Sequence, residues 1–148
     1  MTPAPGFAQR VRESFARQPA MRLIGADLLR VDAGEVEIFL PFRPEIAQQH
    51  GFVHAGILGA VLDSACGYAA LSTMPVGAGV LTIEFKLNCL APAAGERFRL
   101  VGRVRKAGRT IVVAEGDAIG VANDGREKLV STMTATLMAI HGREGVVD

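Results

Sequence analysis

Between Ala55 and Ile83 the sequence carries one charged residue, Asp63. A carboxylate among apolar neighbours is costly to desolvate unless something compensates it. Asp63 lies too far inside the apolar run to cap its start. Two readings are open from composition. Asp63 can bond a polar neighbour such as Ser64 or a Thr and organise packing, or it can face a ligand cleft as a base or nucleophile, since perturbed carboxylates mark sites only statistically.

The segment just before the run bears on this choice. In Gln48-Gln49-His50-Gly51-Phe52-Val53-His54-Ala55-Gly56, polar side chains meet small residues where a helix should begin. The first turn of a helix has free backbone N–H groups and the positive end of the dipole. Small residues there let a carbonyl oxygen approach the backbone, as an oxyanion hole requires. Taken singly, His54 reads as an N-terminal cap and Gly56 as a site of close packing. Together with a lone internal Asp they point to catalysis. His54 and Asp63 are nine residues apart, which on a helix is roughly 13 Å and opposite faces. They cannot form a dyad within one chain, so an enzyme built on both needs a second subunit and has two shared sites.

The elements that must position these groups follow from periodicity. Phe7 to Gln18 has a helical rhythm that Pro19 should end. Leu23 to Val31 reads as a first strand, Asp32-Ala33-Gly34 as a turn, and Glu35 to Leu40 as its hairpin partner. Pro41 to Val53 is a loop. His54 to Met74 is apolar on all faces, through Ile57, Leu58, Val61, Leu62, Ala65, Tyr68, Ala69 and Leu71, so it should be surrounded on most sides. Strands are expected over Gly79–Leu90, Arg97–Lys106, Thr110–Val121 and Leu129–Ile140, as an antiparallel meander of about four. Asn123-Asp124-Gly125 has strong hairpin chemistry. A sheet of about six strands must bury one face, and the long helix is the only large apolar object available. The expectation is an α+β domain with the sheet wrapped around that helix. A single domain over residues 1–148 is expected, with 1–19 as an N-terminal helical segment.

The 148 residues are 49% hydrophobic with no Trp and one Tyr, so the core must be aliphatic. A net charge of +1 gives no whole-molecule attraction to nucleic acid. Cys66 and Cys89 lack metal-ligand spacing and read as two core thiols, with no metal expected. MTPAPGFAQRVRESFARQ lacks the apolar core of a signal peptide, and the Ala55–Ile83 run is Ala- and Gly-rich and broken at Met74 to Gly79. A membrane span is therefore not expected, and a cytoplasmic location is.

HAGILGAVLDSACGYAAL, then TIEFKLNCLAPAAGE and VRKAGRTIVVAEGDAIG, resemble the PaaI-like branch of the hotdog thioesterases over roughly residues 20 to 140. That branch shows His-Gly-Gly, an acidic residue nine positions after the His, and a Thr-Val-Glu-type strand ending in Pro. The resemblance implies a hotdog fold and roles for several residues. Asp63 would activate water or attack the thioester carbonyl. The backbone N–H of Ala55, with Gly56 beside it in the turn after His54, would polarise that carbonyl. Gln48, six residues before the His, would place substrate or water, and Thr82 would hold the water. Ala55 departs from the family's Gly, and its methyl narrows the approach while keeping the N–H. The carboxylate and the N–H would come from different subunits of a homodimer, with dimers pairing into a dimer of dimers.

The expected activity is hydrolysis of an acyl- or aryl-CoA thioester to the acid and CoA, with CoA part of the substrate and no separate cofactor. Arg109, then Lys106, are candidates for the CoA phosphates, against the plainer reading of a solvated hairpin. A hotdog hydratase or dehydratase and a non-catalytic acyl-CoA-binding module are the alternatives.

Overall fold

The computed structural model describes residues 3–148. Its elements are α1 (Phe7–Ala16), α2 (Pro19–Ile24), β1 (Asp27–Asp32), β2 (Glu35–Pro41), α3 (Ala55–Leu71), β3 (Ala78–Cys89), β4 (Arg97–Ala107), β5 (Ile111–Val121) and β6 (Glu127–His141). One six-stranded antiparallel sheet has the order β1-β2-β4-β5-β6-β3 and packs against α3. This is the α+β arrangement of a sheet curled round one helix, the hotdog architecture.

Period-two alternation decides the faces. On β2, Val36, Ile38 and Leu40 are fully buried. Their partners on β4, Gly102, Leu100 and Phe98, continue the inward layer. On β6, Met133, Ala135 and Leu137 point inward, while Thr132, Thr134 and Thr136 face out. The outer face is ionic: Arg99 pairs with Glu37 and Glu127, and Arg103 with Glu35 and Asp117.

Two glycines let α3 sit against the sheet. A Cβ on Gly102 would lie 2.3 Å from the carbonyl carbon of Ala65, inside the helix backbone. One on Gly116 would meet Cys66 Sγ and Leu62 Cδ2, each at 3.1 Å. Gly102→Ala should therefore destabilise the protein by about 3 kcal/mol, since neither backbone can yield cheaply. Gly67→Ala, whose Cβ would stand at an ordinary 3.8 Å from Leu137, should leave stability unchanged or raise it. Urea midpoints of the two variants compare the effects directly. Equal midpoints would remove the close-approach argument.

The structure corrects the sequence reading at four places. Pro19 begins a helix rather than only ending one: it stands at the first turn of α2, where its fixed φ suits a start. Leu23 and Ile24 therefore belong to α2, not to the first strand. Gly25 closes α2 at φ 86°, and the Arg43 guanidinium bonds the carbonyls of Leu23 and Ile24. Next, α3 stops at Leu71, three residues short of Met74, and the Arg10 guanidinium covers the carbonyls of Leu71, Met74 and Pro75.

The third correction concerns topology. The last four strands are not one meander. Only β4, β5 and β6 are consecutive neighbours, and β3 lies at the far edge beside β6. The connection from β3 to β4 crosses the end of the sheet, pinned where Val53 N–H donates to the Ala93 carbonyl. That crossing lets β4 pair with β2. Finally, Cys66 is buried and its thiol pKa is pushed up to about 12, chiefly by burial. Cys89 is exposed near the free end of the edge strand, so only one of the two thiols is in the core. Among the described residues, no helix is long and apolar enough to cross a membrane.

Candidate active site

Asp63 lies mid-way along α3 on the side nearest β3. Of the side chains along α3, Ile57, Ala60 and Asp63 are only half-buried, spaced three apart, while nearly all the rest are enclosed. This leaves one open stripe along an otherwise surrounded helix. The Asp63 partner is Thr82, whose Oγ1 donates to Asp63 Oδ1 at 2.7 Å. Ser64, the other candidate neighbour, instead donates to Gln18 Oε1 at 3.1 Å.

A β-bulge makes the Thr82 contact possible. On β3, Thr82 pairs with Leu137 and Glu84 with Thr136, so Ile83 is the extra residue. Regular alternation would put Thr82 and Phe85 on opposite faces. The bulge resets it, and both face α3, as their inward-pointing partners Leu137 and Ala135 do.

Burial raises the Asp63 pKa above the ordinary carboxylate value, and the Thr82 hydrogen bond pulls it back down to a lesser extent. A carboxylate in this condition is more basic than a solvated one while still able to ionise. Thr82→Val removes the opposing hydrogen bond, so the pKa should rise further. If Asp63 acts as its anion, activity rises with pH through that pKa. The acid limb of the kcat/KM profile should then move to higher pH in Thr82→Val. An unmoved limb would dissociate Thr82 from the ionisation of Asp63.

The start of α3 forms a second, separate feature. His54 is the N-cap, and its Nδ1 accepts from Gly56 N–H at 2.9 Å. The His54 carbonyl accepts from Ile57 and Leu58. His54 thus consumes the Gly56 donor, and the Nδ1 that accepts is unprotonated. The Ala55 N–H is left as the free donor of the first turn among the described residues. Ala55 lines a cleft of about 600 Å³ between the start of α3, the Leu90–Ala93 connection and Ser131 of β6. Gln48 and His54 line the same cleft. Gln48 Oε1 accepts from the His50 N–H within its own loop, which fixes the side chain at the rim.

The structure therefore brings Gln48, His54 and Ala55 together, and separately brings Thr82 to Asp63. It does not join the two groups within one chain. Asp63 lines a different cavity of about 200 Å³ with Gln18, Ser64, Tyr68, Thr82 and Asp148. Periodicity would not have joined Ser64 and Tyr68 to Asp63: one and five positions on, they stand about 100° and 140° round the helix from it. No sequence signal marks Gln18 or Asp148, which come from opposite ends of the chain. Arg109 and Lys106 are exposed at the β4–β5 hairpin. Arg109 lines a third cavity, of about 300 Å³, with Thr73, Met74 and His141, at the C-terminal end of α3 and away from Ala55. Among the described residues no cluster of His, Cys, Asp or Glu is arranged to hold a metal ion.

Comparison with known proteins gives a consistent picture. A family model for the thioesterase superfamily matches residues 50–120, which include the turn at His54, all of α3, and β3 and β4. The crystal structure of a thioesterase family protein from Silicibacter pomeroyi is 54% identical and superposes with a TM-score of 0.90, covering 93% of this chain and all of that one. The PaaI protein of the E. coli phenylacetic acid degradation operon shares the fold, with a TM-score of 0.80 at 20% identity over 92% of this chain and 94% of that one. A Saccharolobus solfataricus protein that carries an esterase designation is 28% identical over 94 residues, 64% of this chain and 66% of that protein's length.

Proposed function

The chain belongs to the thioesterase superfamily, a family of hydrolases, and on that premise we propose that it hydrolyses an acyl-CoA thioester to the free acid and coenzyme A. The observation that carries the reading is the Thr82–Asp63 contact: a half-buried carboxylate of raised pKa, oriented by one hydroxyl, at the wall of a cavity. In the proposed reaction Asp63 takes a proton from water, or attacks the carbonyl carbon itself. Thr82 holds the carboxylate, and the tetrahedral oxyanion forms against the Ala55 N–H. The C–S bond breaks and CoA leaves as the thiol after protonation.

The two halves are proposed to come from two subunits of a homodimer, Asp63 and Thr82 from one, Ala55 and Gln48 from the other. Support comes from the edge of the sheet. β3 has no partner on its outer side, and Leu81, Ile83 and Phe85 along it are 45%, 51% and 47% exposed. An apolar unpaired edge is a template for another strand. It runs beside the open stripe of α3, so a second copy docked there would cover both. Pairing of dimers into a tetramer, and contact of Arg109 and Lys106 with the CoA phosphates, belong to the same proposal. Arg105, next to Lys106 in sequence, is already held by Glu115.

The test is release of free thiol from short, medium, long and aryl acyl-CoAs, with an enoyl-CoA assayed in parallel for hydration. Thiol release from one or more acyl-CoAs, with no hydration, is expected. Hydration without thiol release would replace hydrolase by hydratase. Binding without either reaction would make the fold a carrier.

A further inference from the structure

The cavity beside Asp63 has a polar end wall that the hydrolysis of a plain acyl chain does not need. One side is the face of α3 beyond Asp63, where Ser64 and Tyr68 are buried. The opposite side is made by the two ends of the chain. Gln18 comes from the residues following α1, and Asp148 from the tail after β6. The tail is held closely: a Cβ on Gly79 would lie 2.7 Å from the Val146 carbonyl oxygen. Ser14 Oγ donates to Asp148 Oδ1 at 2.5 Å, and Arg17 stands 3.7 Å from the same oxygen.

The hydrogen bonds leave specific valences over. The Asp148 carboxylate can only accept, so the Ser14 proton is committed to it. Tyr68, 3.3 Å from Ser14 Oγ, must then donate its own proton to Ser14, which leaves the phenolic oxygen as an acceptor. Gln18 Oε1 is occupied by Ser64, and its amide N–H groups remain as donors. At this wall, donors on Gln18 and an acceptor on Tyr68 therefore line the same cavity, beside the second carboxylate oxygens of Asp63 and Asp148, which can only accept. A hydroxyl group needs both a donor and an acceptor, since it donates once and accepts once. An acyl carboxylate is disfavoured, because the nearby Asp148 has the same charge. About 200 Å³ holds a short chain, and is too small for the nucleotide of CoA.

We infer that this cavity is the acyl pocket and that Gln18 and Tyr68 are specificity-determining residues, selecting short acyl groups that carry a neutral hydroxyl. The inference rests on Asp63 being the reacting carboxylate. Tyr68 lies five residues beyond Asp63, about 7.5 Å along the helix axis, so the hydroxyl belongs a few bonds beyond the thioester carbonyl. The tail acts through Asp148, which fixes Ser14 and thereby the proton orientation of Tyr68.

Matched pairs test this: butanoyl- against 3-hydroxybutanoyl-CoA, and hexanoyl- against 6-hydroxyhexanoyl-CoA. In the unaltered protein the better-fitting hydroxylated member should have kcat/KM higher by about tenfold, the worth of a well-formed hydrogen bond to an otherwise unpaired group. Gln18→Leu and Tyr68→Phe should each lower the hydroxylated rate and raise the alkyl rate, bringing the ratio to one or below. A general folding defect would lower both members alike and leave the ratio untouched. An unaltered protein that prefers the alkyl member of both pairs overturns the inference. So does a preference that survives both variants. Asp63→Asn separates this from the chemistry: turnover retained in that variant defeats the catalytic reading, whereas an inactive Asp63→Asn with an unchanged hydroxyl ratio in the other two defeats only the pocket.

Discussion

Asp63→Asn should lower kcat/KM by about 10³-fold or more, while the protein becomes more stable at neutral pH. The first half follows from the role proposed for the carboxylate, since general-base removal typically costs about 10²- to 10⁴-fold and loss of a nucleophile more. Asn is nearly isosteric and its carbonyl oxygen can still accept from Thr82, so the site should keep its shape. The second half follows from linkage. The pKa of Asp63 is raised in the folded protein, chiefly by burial, so the folded state binds its proton more tightly than the unfolded chain does. Stability is then greatest below the unfolded pKa and falls as pH rises through the interval up to the folded value. Above that interval the native protein carries a disfavoured charge that Asn lacks. Urea denaturation at pH 7 and at pH 4 checks the sign: the advantage of Asp63→Asn should be larger at pH 7. A variant both active and no more stable would show that Asp63 is an ordinary solvated side chain. A single turnover in ¹⁸O-water separates the two chemical routes. Label found in Asp63 after one turnover marks the nucleophile route with water attacking the side-chain carbon; trapping of an Asp63 anhydride covers attack at the acyl carbon, and the base route gives neither.

Ala55→Pro should lower kcat by about 10²- to 10³-fold through the loss of a single hydrogen. Ala55 is the first residue of α3, where a proline is structurally acceptable because its N–H has no partner within the helix. The preceding residue, His54, already has φ −61° and ψ 134°, an extended conformation that a following proline favours. The His54–Gly56 cap is untouched. Folding should therefore be unchanged, and the midpoint of thermal unfolding checks that.

The same variant supplies the test of sharing between subunits. Asp63→Asn and Ala55→Pro proteins are each inactive alone, but a mixed dimer contains one site with an intact Asp63 facing an intact Ala55. After co-refolding in equal amounts, random pairing makes half the dimers mixed with one good site in two, about a quarter of native activity. If both groups served one site in the same chain, mixing would restore nothing.

Much of this was legible beforehand because the signals are local. A single carboxylate in a run of Ala, Gly and Leu is visible without a structure. So is a turn of small residues at a helix start, and helical geometry alone separates the two across faces. The threonines of β6 and the arginines of β4 show their outward faces by alternation, and both faces are as expected. Helix ends were less legible. α3 stops early and α2 exists because Arg10 and Arg43, distant in sequence, cover the carbonyls at their ends.

Asp63 returns the same lesson at the site. The sequence by itself determined that it is a carboxylate inside an apolar helix, and that its helix begins with a turn able to offer a free N–H. Only the tertiary structure decided what surrounds it. Thr82 reaches it because β3 lies at the sheet edge beside β6, not beside β4, and because a bulge at Ile83 turns that hydroxyl inward. Gln18 and Asp148 close its cavity because both ends of the chain pack over α3. Periodicity records which side of a segment is buried, since that depends on neighbouring residues. It does not record which distant segment does the burying, since that is settled by long-range packing and backbone pairing.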